Sequence, residues 1–190
     1  MRNYCFILLL LLLSVRTIAQ SGFSTITKLR SIPITDVTKD KPQAKVWTYA
    51  DRWWCVLATS EGSKIFRLDG ATWTPVYIIA PMKTGQTDCL VAGNMIHILM
   101  YSGSGVNSYL YSLVYNAVSN TYALWNQRPS LAPIMLPVGA QTATLAIDSK
   151  GRMWITSGDA SNVYAWWSDA PYTTFSAPIT IASGISSKDK

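Results

Sequence analysis

The sequence predicts an all-β protein made of about three copies of a four-stranded unit, the architecture of a β-propeller. Three observations carry this expectation. The stretch Thr142–Ile181 reads as four short strands joined by three turns, weaker copies of it appear twice upstream, and the second strands are apolar on both faces. Alternation with β-branched and aromatic enrichment at this spacing argues for successive antiparallel strands.

The third copy is the clearest. Thr142–Ile147 is a β-rich run closed by Asp148-Ser149-Lys150-Gly151, a cluster with the composition of a hairpin turn. Arg152–Thr156 follows as the second strand, Ser157–Asn162 as a turn, Val163–Trp167 as an aromatic third strand and Phe175–Ile181 as the fourth. Laid over it, Tyr49–Val56 matches Ser149–Thr156, and Gly93–Leu99 supplies the middle copy. Trp54, His97 and Trp154 then share one repeat position. Asp51, Asn94 and Gly151 share the turn before it, where residues that tolerate positive φ are favoured. Third strands are expected also at Lys64–Leu68 and Tyr109–Tyr115, with fourth strands beginning near Trp73, Tyr122 and Phe175.

A four-stranded unit recurring every ~40–50 residues marks propeller blades. A β-sandwich also has many short strands but predicts no alignment of second strand with second strand. Trp53, Cys55 and Leu57 fall on one strand face, Trp54 and Val56 on the other. Such a strand must be covered on both sides, as in stacked blades.

Taken in order, residues 1–19 read as a secretory signal peptide. Arg2 opens a basic start, Phe6–Leu13 is an apolar core, and Thr17-Ile18-Ala19 ends in a small residue suited to cleavage. The apolar run is well short of the ~20 residues that cross a bilayer, so no membrane span is expected in the mature chain. The product is expected to be secreted, periplasmic or on the cell surface. Residues 20–43 form a leader, with Thr25–Ile34 a candidate ring-closing strand. The blades are expected at 44–80, 88–128 and 140–182 within a propeller region of 44–190. Arg128–Gly139, with three prolines, reads as a longer connection between blades. Propeller rings hold about four to eight blades, so three leave the ring incomplete. Remaining blades or identical subunits would be needed to close it.

Asp69-Gly70-Ala71-Thr72-Trp73 resembles the core of the Asp-box hairpins of sialidase-type propellers, and Ser168–Phe175 resembles a degraded version. Across Ala44–Gly184 the pattern is similar to exported bacterial propeller proteins of uncharacterised function. The resemblance implies the fold and no active site, because the Asp-box hairpin is structural in those families.

Composition narrows the chemistry. Without Arg2 and Arg16, 14 Lys plus Arg face 10 Asp plus Glu, a net of +4 spread singly along the chain. No basic run marks a nucleic-acid partner. Glycoside hydrolysis needs two placed carboxylates or a tyrosine nucleophile with supporting acids, yet Glu61 is the only glutamate and lies in a turn. No catalytic residue is assigned, and the enzyme question stays open with the balance against. His97, the only histidine, stands where tryptophan stands in the other copies and has no Cys or His beside it, so it reads as a packed strand residue. Asp148 and Asp159 lack the spacing of a calcium loop. No metal or cofactor is expected.

The function expected is non-catalytic binding of a glycan or cell-surface partner. The rival is a fragment of a sialidase-like or other glycoside hydrolase whose acids lie in further blades. Eight tryptophans supply aromatic faces, and Arg52, Trp54, Arg152 and Trp154 are the candidate carbohydrate-binding residues. Cys55 and Cys89 fit either a disulfide or two buried thiols.

Overall fold

Thirteen strands, all antiparallel, run through the described part of the chain in three sheets, and no described residue is helical. The computed structural model describes residues 27–35, 43–81, 86–101, 108–140 and 142–186. The expected signal peptide and part of the leader lie outside them.

The first sheet contains β1 (Val46–Tyr49), β2 (Arg52–Thr59), β3 (Gly62–Asp69) and β4 (Thr72–Ala80), paired in chain order. Its first turn is two residues long, Ala50 and Asp51, at φ of 50° and 55°. Positive φ at both central positions matches the turn to the twist of the flanking strands. Glycine is absent there; a single Asp and an Ala carry the strain. The middle sheet contains β5 (Thr87–Ala92), β6 (Met95–Met100), β7 (Ser108–Asn116), β8 (Thr121–Leu124) and β9 (Ala132–Ile134). The third contains β10 (Ala143–Ile147), β11 (Met153–Gly158), β12 (Asn162–Ser168) and β13 (Ile179–Ser183).

Three local expectations change. The proline-rich connection carries a strand: β9 pairs with the first half of β7 through Leu110↔Ala132, while β8 pairs with the second half. The outer edge of the middle sheet is thus made in two pieces. The last strand of the third sheet begins at Ile179, after Pro178, where Phe175 had been expected to start it. Pro178 has no N–H to give a ladder, and only Ser176, through its N–H to Trp167 O, extends the pairing upstream. At the second hairpin the positive φ belongs to Gly93 rather than to Asn94. Residues 27–35 form no strand; they bond to the first sheet at two points, Arg30 N–H to Ala71 O and Thr35 N–H to Ala58 O.

Burial separates the third sheet from the other two, since Trp54–Val56 of β2 are buried in succession. Residues 96–100 of β6 are all buried, so both of its faces are covered. In β10 and β11 burial alternates residue by residue, the mark of a sheet with one covered face. One core joins the first and middle sheets through Trp54, Val56, Ile65, Ile96, Ile98 and Leu113. A second joins the middle and third sheets through Leu99, Leu110, Leu145, Met153, Ile155 and Trp166.

Asp88, on β5, links all three sheets. Its carboxyl accepts from Ala44 N–H at 3.0 Å, from Thr144 Oγ1 at 2.8 Å and from Leu145 N–H at 3.0 Å. Beside it the Gln43 amide donates to Ala143 O at 2.9 Å and bonds the Tyr101 hydroxyl. Replacing Asp88 by Ala orphans the buried Leu145 donor and unties the segment entering β1. At about 1–3 kcal/mol for each stranded donor, Asp88→Ala is expected to lower unfolding stability by about 2–4 kcal/mol. Urea titration at constant m-value is the measurement; a change below about 1 kcal/mol would refute the linking role.

Candidate functional site

The four candidate binding residues fall on two sheets, separated by the middle one. Trp54 is fully buried; it meets Tyr115 and Tyr122 edge-on at 5.9 and 5.0 Å and donates Nε1–H to Tyr49 O at 2.9 Å. No face of its ring is open to a ligand. Trp154, at the matching position of β11, is half-buried, and its Nε1–H donates to Asp148 Oδ2 at 3.0 Å. Arg52 and Arg152 also match: each pairs with the aspartate 17 residues later, Asp69 at 3.2 Å and Asp169 at 3.0 Å. Arg152 additionally lies over the Trp167 ring, 4.1 Å from its centroid. The repeat therefore extends to an ion pair that closes the end of the third strand.

The turn aspartates are similarly occupied. Asp148 Oδ1 accepts the N–H groups of Lys150 and Arg152, and Asp159 accepts those of Ser161 and Asn162 together with the Tyr164 hydroxyl. The Trp154 indole, with these backbone donors, holds the Asp148 carboxyl below the usual range; backbone donation from Ser161 and the Tyr164 hydroxyl do the same for Asp159. Side chains folded onto their own turn in this way fix backbone geometry. Arg67 grips Asp69 with two nitrogens, at 2.9 and 3.0 Å, and lowers that carboxyl as well. Among the described residues no three His, Cys, Asp or Glu side chains converge as metal ligands.

Cys55 is buried and Cys89 half-buried, and both are free thiols. Burial pushes the Cys55 thiol up to about 12, and burial, helped by the Asp88 charge, also raises Cys89 well above its ordinary value. Neither offers a thiolate near neutrality.

His97 sits between the middle and third sheets. Its Nδ1 is 2.8 Å from Ser112 Oγ, its ring meets Tyr172 edge-on at 5.4 Å, and it is almost completely buried. Arg128 bonds the same Ser112 hydroxyl and donates to Leu110 O and Ser130 O at 3.0 and 2.9 Å. Its Nε is buried without a hydrogen-bond partner. A serine and a histidine within bonding distance invite comparison with a nucleophile and its base. Here the pair is buried, and the third neighbour is a guanidinium where a triad needs a carboxylate.

An uncharged groove lies elsewhere, where the 133–138 segment faces β12 and the 173–178 segment. Two adjoining hollows of about 550 and 360 Å³ share Met135, Trp166 and Pro178 as walls. Phe175 and Tyr164 add aromatic surface, and Thr173 and Thr174 add hydroxyls. No lining residue carries a charge. Sequence reasoning missed this groove because one wall comes from a connection that read as a spacer and the other from a turn running into an expected strand at Phe175–Ile181. Their prolines, Pro133, Pro137 and Pro178, were the available signal. Neither a protein-family model nor a curated protein matches the chain.

Burial, aided by the Arg128 charge, lowers the His97 pKa from 6.5 to about 4. The folded state therefore holds the ring neutral while the unfolded chain takes up a proton. Stability tied to His97 is whole above pH 6.5 and drains as pH falls towards 4. Between pH 7 and 4 the native chain should lose about 3 kcal/mol more than His97→Gln, read from urea unfolding at each pH. Parallel pH curves for the two proteins would exclude a neutral buried histidine.

Proposed function

We propose that the three sheets are consecutive blades of an exported, non-catalytic β-propeller that binds carbohydrate in the groove between its second and third blades. The export half of this reading rests on the signal-like residues 1–19. The propeller half is supported by the shared position of Trp54, His97 and Trp154, the first two meeting rings of the sheet region that follows, and by the matching Arg52–Asp69 and Arg152–Asp169 pairs.

The single observation that carries the binding reading is the groove itself. It is long, uncharged, and walled by aromatic rings and threonine hydroxyls. Sugar rings present apolar C–H faces edged by hydroxyls, so aromatic walls take the faces and threonine groups take the edges. A neutral lining disfavours anionic ligands, for which no cation is placed. Hydrolysis would need a positioned carboxyl pair, and Asp159, which bonds the wall residue Tyr164, is consumed by that bond and its own turn.

A glycan array on the secreted protein, run beside a panel of chromogenic glycosides, tests this reading. Binding to a neutral glycan without turnover is expected. Phe175→Ala, at a half-buried wall position outside the strands, should weaken that binding roughly tenfold or more, the scale set by losing one apolar contact surface. Turnover without binding, or binding indifferent to Phe175, would defeat it.

A further inference from the structure

The first sheet carries a small pocket of its own. Residues 27–35 cross that sheet tied by two backbone bonds, Arg30 N–H to Ala71 O at 3.0 Å and Thr35 N–H to Ala58 O at 3.1 Å. Between the ties, Ile32 and Pro33 stand over the sheet face that carries Phe66, with Trp73 and Pro75 of β4 beside it. They enclose a hollow of about 290 Å³. Ligand pockets span roughly 300–1,000 Å³, so this one has room for a single small molecule and not for a glycan chain. A proline stiffens each wall, Pro33 in the strap and Pro75 in the sheet. The hollow is therefore formed before anything enters, which keeps the entropy cost of binding low.

The polar end of the pocket holds one charge of each sign. Lys64 lies two residues before Phe66 on β3, hence on the same face. Its ammonium pairs with the Glu61 carboxylate of the preceding turn. The lysine side chain is 13% exposed and the glutamate 71%, so the cation is sunk beside the hollow and the anion stands at its rim. Arg52 and Arg67 spend their charge on Asp69, and Arg152 on Asp169, at the corners of sheets. Lys64 and Glu61 instead line a hollow with an apolar floor.

From this we infer that the pocket binds a free α-amino acid with an apolar side chain. The pair makes the site neutral in sum but bipolar. A ligand with a single charge takes one member of the pair and strands the other, which then faces a like charge. A zwitterion replaces the one internal ion pair by two, its carboxylate on the Lys64 ammonium and its ammonium on the Glu61 carboxylate. An α-amino acid carries both charges about a single carbon, matching the adjacent charges of Lys64 and Glu61. Its side chain then lies on the floor of Phe66, Trp73 and Pro75, where an aliphatic or aromatic group buries its apolar surface. The pocket shares no residue with the groove beside the third sheet. Amino-acid binding and glycan binding therefore succeed or fail separately.

Isothermal titration calorimetry on the secreted protein with L-leucine and L-phenylalanine is the test. One-to-one binding with a dissociation constant of about 1 mM or tighter is expected. Two analogues divide the recognition: 4-methylpentanoate is leucine without its ammonium, and isoamylamine is leucine without its carboxylate. Each should bind about tenfold more weakly than leucine, the scale of one lost charged hydrogen bond. Glu61→Gln and Lys64→Met act at the polar end and should leave far-UV circular dichroism unchanged. They should also reorder the ligands, which a purely structural ion pair would not do. Glu61→Gln is expected to prefer 4-methylpentanoate to leucine, and Lys64→Met to prefer isoamylamine. No binding of either amino acid at millimolar concentration, a singly charged analogue binding as tightly as leucine, or an unchanged ligand order in either variant would each overturn the proposal.

Discussion

The carboxyl group of Asp88 is the constraint on which the arrangement of the sheets depends. It lies on the first strand of the middle sheet and takes hydrogen bonds from the chain entering the first sheet and from the first strand of the third. A buried carboxyl is costly unless its acceptor sites are filled. Three donors from two directions fill them only when the three inner edges converge. Apolar packing is non-directional and leaves sliding between sheets cheap. The Asp88 bonds, with Gln43 beside them, convert that loose contact into a fixed placement.

With the inner edges pinned, the faces are left to pack, and they do so unequally. The middle sheet is covered on both sides, and β6 accordingly reads Met-Ile-His-Ile-Leu-Met, with hardly a polar residue. The first sheet is also covered on both faces over Trp54–Val56 and Ile65–Phe66, whereas the third has one well-covered face. Alternation returns in β10 and β11, with Thr144, Thr156 and Ala146 on the less covered side. His97 is the exception inside the middle sheet. A buried imidazole is tolerated there because Ser112 satisfies Nδ1 and because the ring stays neutral.

The charged residues that attract attention in a search for chemistry serve the turns. Arg52–Asp69 and Arg152–Asp169 close the same corner of two sheets, and Asp148 and Asp159 cap the backbone of their own loops. Short strands reversed by tight turns leave many backbone N–H groups at sheet ends, and aspartate is well suited to accept them. What remains without such a task is apolar and aromatic, which is why the groove is neutral.

The sequence by itself determined the three four-stranded units, the alignment of Trp54, His97 and Trp154, and the alternation that sets strand faces. These follow from local periodicity and turn composition, which every residue carries wherever the chain goes. It also marked Arg52 and Arg152 as repeat positions. Only the tertiary structure decided that Trp54 is sealed by Tyr115 and Tyr122 while Trp154 is not, because burial depends on which sheet stands next to the ring. The same holds for β9, whose pairing with β7 fills an edge that β8 leaves half empty, and for the groove beside it. Its walls are brought together by contacts between segments distant in sequence, and no spacing within either segment encodes that meeting.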